Sequence, residues 1–203
     1  MHKAPAIACQ PRWAQTLHPS SPVSCLMIRA MRSLLLISSL FAAAAGAQPQ
    51  LAEITWPGGW QVQAVEPEAA PGTAPKVSRQ RAVKNDENGD TILVMELTMT
   101  QVEAGHVVNL QGVLLEMRKS IQKDFFQGGY QSVCNKIHPA TLSRLAALET
   151  TCTITQNGRH VLSQTLVAAV EADKAYVFSY AGQAEAYAAS QKEIQAVRES
   201  LKL

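Results

Sequence analysis

The sequence predicts an α+β domain, an antiparallel β-sheet flanked by helices. Three observations lead to it. Several runs alternate apolar and polar residues, the two-residue period of half-buried strands. Asn88-Gly89 and Asn157-Gly158 fall between such runs, where a hairpin turn needs residues that tolerate positive φ. Two other segments, around Leu110 to Phe125 and along the C-terminal twenty residues, repeat apolar residues every three or four positions, as a helix does.

The first structured stretch is "ITWPGGWQV", residues 54 to 62. Pro57 suits the second position of a β-turn and Gly58 the third. With Pro57, Gly58 and Gly59 as the loop, Trp56 and Trp60 lie opposite each other across a predicted hairpin. Ile54, Trp56, Trp60, Val62 and Ala64 then share an apolar face, and Glu53, Thr55, Gln61 and Gln63 a polar one. The tryptophans are read as pins holding this hairpin to the core, not as a ligand platform. Residues 66–75, "EPEAAPGTAP", form a loop. Lys76 to Lys84 alternates weakly and carries basic side chains, which suits an edge strand. Thr91 to Thr100 alternates more clearly, with Leu93, Met95, Leu97 and Met99 on one face.

Leu110, Leu114, Met117, Ile121 and Phe125 make one helical stripe, with Asn109 placed to cap its start and Gly128-Gly129 to end it. Four strands follow, Tyr130 to Lys136, Ala146 to Gln156, His160 to Val170 and Ala175 to Tyr180. In the second of them Leu148, Cys152 and Ile154 face one way, and Glu149, Thr151, Thr153 and Thr155 the other. "HPATLSRL" reads as the connection between the first two strands. The last segment reads as a single helix with Ala184, Tyr187, Ile194, Val197 and Leu201 on one stripe.

The amino terminus sets the compartment. "MIRAMRSLLLISSLFAAAAGAQPQ" has Arg29 and Arg32, then an apolar run from Leu34 to Ala45, then small residues. This is the pattern of a secretory signal peptide, with a cut predicted between Ala47 and Gln48. Residues 1 to 26, ahead of Met27 and Met31, are read as an upstream extension, which makes 1–47 leader and 48–203 one domain. Removing the four leader bases from 18 leaves 14 against 16 acids, a net charge of −2. Nothing in that balance suits nucleic acid, and no apolar segment after the leader is long enough to span a bilayer. Cys134 and Cys152 remain as an even pair, and in an exported protein that predicts a disulfide closing 18 residues.

Motifs that would carry chemistry are weak. "DENGDT" puts Asp86, Asn88 and Asp90 at the first three ligand spacings of an EF-hand loop, but Thr91 and Leu97 stand where Gly and Glu are needed, so it reads as a turn. His106, His138 and His160 have no metal-ligand spacing, and neither a nucleophile elbow nor a phosphate loop occurs. Glu66 and Glu68 lie in the proline-rich loop, and Ser179 in "FSYAG" reads as packing. No catalytic, cofactor or metal residue is therefore assigned.

The element order is informative as a whole. An opening "WPGGW", strands, a long helix, a meander ending "KAYVFSYAG" and a last helix ending "VRESLKL" resemble the PsbP-like superfamily, PsbP and DcrB proteins among them, over about residues 51 to 203. Within it the chain is similar to a family of small exported Gram-negative proteins of unknown function. The resemblance implies an α/β/α sandwich and an accessory or binding role without a shared active site, so it assigns no site residue. The expected protein is a periplasmic, non-catalytic accessory module of the cell envelope, acting on an envelope protein or a small ligand. A small enzyme with a site assembled across the fold is the alternative, as is a carrier with an apolar cavity between Leu110, Met117, Leu166 and Phe178.

Overall fold

A computed structural model describes residues 52–65, 77–103 and 105–203. The predicted leader with its expected Ala47–Gln48 cut and the proline-rich segment lie outside the described residues. In chain order the elements are β1 Gln61–Val65, β2 Val77–Asn85, β3 Thr91–Gln101, α1 Leu110–Gln127, β4 Gln131–Cys134, β5 His138–Leu142, β6 Leu145–Gln156, β7 Arg159–Glu171, β8 Lys174–Gln183, α2 Ala184–Ala189 and α3 Gln191–Ser200. The strands form one antiparallel eight-stranded sheet in the order β1-β2-β3-β8-β7-β6-β4, with β5 also paired to β6.

The alternation read from the sequence decides the two faces. Leu93, Met95, Leu97 and Met99 of β3 stand opposite Gly182, Tyr180, Phe178 and Tyr176 of β8, on the face covered by α2 and α3. Ile194, Val197 and Leu201 close this larger core, with Val167 and Ala169 of β7 beneath. On the other face Leu114 of α1, fully buried, packs on Leu166 and Ala168, flanked by Leu110, Met117, Ile121, Leu148 and Val177. Helices on both faces give the sandwich that the sequence implies. Leu166 and Phe178 therefore belong to different cores, so the apolar cavity expected among Leu110, Met117, Leu166 and Phe178 is not formed. The sheet itself stands between them.

Turn chemistry is legible locally. Asn157 (φ 51°) and Gly158 (φ 77°) both take positive φ, the requirement of a tight hairpin turn between β6 and β7. Asp86 closes the β2–β3 turn by accepting the backbone N–H groups of Asn88 and Asp90 at 2.9 Å each. Those bonds, Asp90's first, hold its carboxyl below the usual range. The EF-hand-like motif is thus a turn whose carboxylate serves the backbone. Asn109 caps α1, its Oδ1 accepting from the N–H of Gly112 at 3.0 Å, and Gly128 and Gly129 end the helix.

Four expectations are corrected. "WPGGW" makes a turn, with Trp60 N–H donating to the Pro57 carbonyl at 3.4 Å and Gly59 at φ 82°, one residue later than predicted. Its flanks do not pair with each other. Glu53 bridges to Lys202 and β1 pairs with β2, since burying Trp56 and Trp60 against α3 draws the incoming chain toward the C-terminus. β2 is accordingly internal, and β1 is the edge. The connection "HPATLSRL" contains strand β5, whose Pro139 is tolerated because β5 has a neighbour on one side only. The C-terminal helix breaks at Ser190 into α2 and α3, which lets Tyr187 and Glu193 both reach the sheet.

Candidate functional site: polar clusters and the two sheet edges

Three polar clusters lie on the face that carries α2 and α3. The first joins α3 to the amino-terminal strands. Glu193 accepts from Trp60 Nε1 at 2.9 Å and from Lys84 Nζ at 3.0 Å, and Lys84 sits 5.8 Å from the centre of the Trp60 ring. These bonds, Lys84's first, hold the Glu193 carboxyl below the usual range. Trp60 is 8% exposed, with Ile54 and Trp56 packed beside it, so the tryptophans do pin this segment to the core. Val62, expected on the same apolar face, is 60% exposed. The helical cover stops short of it.

The second cluster centres on Arg198. This side chain is buried and donates from Nε to the Thr141 carbonyl at 2.6 Å and from Nη1 to Glu149 at 2.7 Å. His138 Nε2 is 3.8 Å from the other Glu149 oxygen. In the third, Thr151, Thr165 and Tyr187 form a hydroxyl chain with steps of 2.6 and 2.5 Å, and the rings of Tyr180 and Tyr187 stack. Burial raises the Tyr180 phenol far above its ordinary value, aided by Tyr187 beside it. Each cluster spends its polar atoms on bonds within the fold.

One pair has the composition of a nucleophile and a base. His160 Nε2 lies 2.9 Å from Ser163 Oγ, and Ser163 is buried. The same nitrogen lies 3.0 Å from the Leu162 carbonyl, which can only accept. In the tautomer that donates to this carbonyl, Nε2 carries the proton and has no lone pair to take one from Ser163. Sequence reasoning named His160 but not Ser163, because between them β7 carries an extra residue, Val161, which has no partner on β6 and which no local pattern marks.

Cys134 and Cys152 are directly opposed on β4 and β6 and joined by a disulfide, as the sequence predicts. The same short strand is protected along its outer edge. Gln122 of α1 donates to the Ser132 carbonyl at 3.2 Å and Arg118 to the Cys134 carbonyl at 3.3 Å. Asn135 spans the gap between β4 and β5, accepting from Thr150 Oγ1 and Thr151 N–H and donating to the Thr151 carbonyl. At this end of the sheet the outer edge of β4 is therefore covered.

The opposite end is built differently. On the α1 face that helix packs on β4, β6 and β7. Beyond it the register places Arg81 across from Glu96 and Glu96 across from Ser179, with Arg79, Thr98 and Val177 in the next row. Arg81, Glu96, Thr98 and Ser179 are half-buried and Arg79 is exposed. This polar floor runs out to β1, which has no strand on its outer side among the described residues.

Among the described residues no helix is long and apolar enough to cross a membrane, and no cluster of His, Cys, Asp and Glu is placed to hold a metal ion. No curated protein matches the chain by sequence. Solved structures similar in fold include the following two. The solution structure of cyanobacterial PsbP (CyanoP) from Synechocystis sp. PCC 6803 aligns over 75% of this chain and 86% of its own, at TM-score 0.53 and 13% identity. LpqN, involved in cell envelope biogenesis of Mycobacterium tuberculosis, aligns over 78% of this chain and 86% of its own, at TM-score 0.48 and 14% identity. The fold is PsbP-like. Across residues 51–203 the sequence matches the family described as "Domain of unknown function (DUF4946)", and the chain belongs to that family.

Proposed function

We propose that this protein is an exported, periplasmic accessory protein of the Gram-negative envelope, which binds a partner and does not transform a substrate. The observation that carries this reading is the asymmetry of the sheet. At one end β4 is tied by the disulfide and covered by α1 side chains, while the other end presents half-buried Arg81, Glu96, Thr98 and Ser179 beside an edge strand. Polar side chains on a rigid sheet make a surface that can recognise without moving. The leader-like amino terminus and the cystine both suit an oxidising compartment outside the cytoplasm.

The test is photo-crosslinking in a Gram-negative cell expressing the full chain, with a photoreactive residue at Thr98 or Ser179 and a control at Thr153 beyond β7. The expected result is a mature protein in the periplasmic fraction and one discrete adduct from the floor positions alone. Retention of the precursor in the cytoplasm, or identical adduct patterns from all three positions, would overturn the reading.

A further inference from the structure

We infer that β1 is a docking strand. An extended segment of a partner protein, alternating acidic and apolar side chains, adds to its outer edge and continues the sheet. This rests on the binding reading above and names the partner's chemistry.

The first ground is the contrast between the two ends of the sheet. A bare edge invites pairing, and proteins blunt it with charge, proline or a covering side chain. Here β4 has its outward carbonyls occupied by Arg118 and Gln122, and β5 carries Pro139. β1 has the sequence QVQAV, without charge and without proline. It pairs with β2 on one side only among the described residues. Its five residues offer main-chain donors and acceptors to an incoming strand, the basis of strand addition.

The second ground is the side chains that flank this edge. Val62 stands across from Ala82 on the face carrying α3, and it is 60% exposed. An incoming strand gains by placing an apolar residue beside it. On the α1 face Gln63 stands across from Arg81, and Arg79 lies on the same face two residues along β2. Arg79 is exposed and has no hydrogen bond or ion pair among the described residues. An added strand lies two strand spacings, about 10 Å, from β2. A guanidinium on its long stem and a Glu reaching back from the new strand can span that distance. Acidic residues on one face and apolar residues on the other are therefore the complementary pattern. A second copy of this chain does not supply it, because β1 contains no acid to meet Arg79.

The experiment uses protein purified after expression of the full chain and a fluorescent peptide of about ten residues alternating Glu and Val, with a Lys-Val peptide as its counterpart. Anisotropy should show the Glu-Val peptide binding about tenfold tighter than the Lys-Val peptide. Arg79→Glu should reverse that order, and N-methylation of alternate peptide amides should abolish binding. Arg79 lies on the surface, so this variant leaves the core untouched and needs no change in β1 itself. Equal binding of both peptides, no binding of either at roughly millimolar concentration, or an unchanged order in Arg79→Glu overturns the inference. A concentration-dependent dimer in sedimentation that the Glu-Val peptide cannot disturb also overturns it, in favour of a second copy. A discrete floor adduct that persists in Arg79→Glu cells sinks the docking strand and leaves the binding reading intact. Loss of every discrete adduct from the unmodified chain sinks the binding reading itself.

Discussion

Arg118, on α1, reaches over the rim of the sheet and donates from Nη2 to the main-chain oxygen of Cys134, 3.3 Å away. The contact joins three features that the sequence presents separately: a basic residue at the margin of the helical stripe, a short edge strand and a cystine. Arg118 thereby protects an edge. Gln122 does the same one turn later at the Ser132 carbonyl. Replacing both with Ala should expose two carbonyls at once and raise self-association. Sedimentation velocity over a range of concentrations should show larger species in the double variant, with a stability cost of about 1–2 kcal/mol.

The disulfide closes an 18-residue separation. On the chain-entropy argument it contributes about 3 kcal/mol, mostly by restricting the unfolded chain. Cys152 is fully buried, so a thiolate released there would be desolvated and a poor leaving group. The expectation is a structural bond. Cys134→Ala/Cys152→Ala should lower the urea midpoint by the equivalent of that energy, and the native wild-type bond should resist a mild dithiol reductant until the protein is unfolded.

Arg198 is the cation that Glu149 depends on. Arg198→Ala would leave a carboxylate that is 17% exposed without its guanidinium and would free the Thr141 carbonyl, at a cost of about 3 kcal/mol. Arg198→Lys should recover only part of it, since an ammonium cannot serve both acceptors in the same geometry. Chemical denaturation of the two variants beside the wild type checks the order.

Glu193 gives a pH dependence with a definite sign. Lys84 and Trp60 hold its carboxyl below the unfolded value, so its contribution is complete above the ordinary carboxylate range and is lost as pH falls through the lowered folded value. The side chains of Lys84 and Glu193 are 30% and 40% exposed, which limits the pair to about 1 kcal/mol or less. Glu193→Gln keeps an acceptor for Trp60 but removes the charge. The stability gap between it and the wild type should be open near about pH 7 and closed by about pH 3.

At Gly182 the backbones of β3 and β8 approach too closely for any side chain. An added Cβ would stand 2.6 Å from the Ile92 carbonyl oxygen and would also meet the Leu93 side chain. Gly182→Ala should therefore cost about 1–3 kcal/mol by overpacking, despite the usual entropic gain of replacing glycine. A thermal melt read beside the control Gly58→Ala, where nothing lies within 4 Å, separates the two effects.

What could be read from sequence was local. The α1 stripe from Leu110 to Phe125, its Asn109 cap and the Asn157-Gly158 turn each involve neighbours within a few residues, and the structure has them as expected. Each miss involves a distant partner. Nothing near Glu53 announces that it bridges to Lys202, and nothing near Ser190 shows that Lys84 and Thr165 require a break in the helix there. β5 was obscured because Pro139 argues against a strand, and only the free outer side of that strand permits it. Of the candidate site, the cystine and the tryptophan pins were visible in the chain. The bare β1 edge was not, because Lys76 to Lys84 looked like the edge until β1 took its outer side.

The bridge between Glu53 and Lys202 has a consequence for how the polypeptide is made. Two backbone hydrogen bonds of 3.1 Å and an ion pair of 3.0 Å tie Glu53 to Lys202, and Leu201 lies within the main core. A chain emerging from its amino terminus cannot complete this closure until Lys202 has followed. The segment bearing Trp56 and Trp60 must wait for about 150 residues to follow it, and that delay keeps the newborn chain threadable.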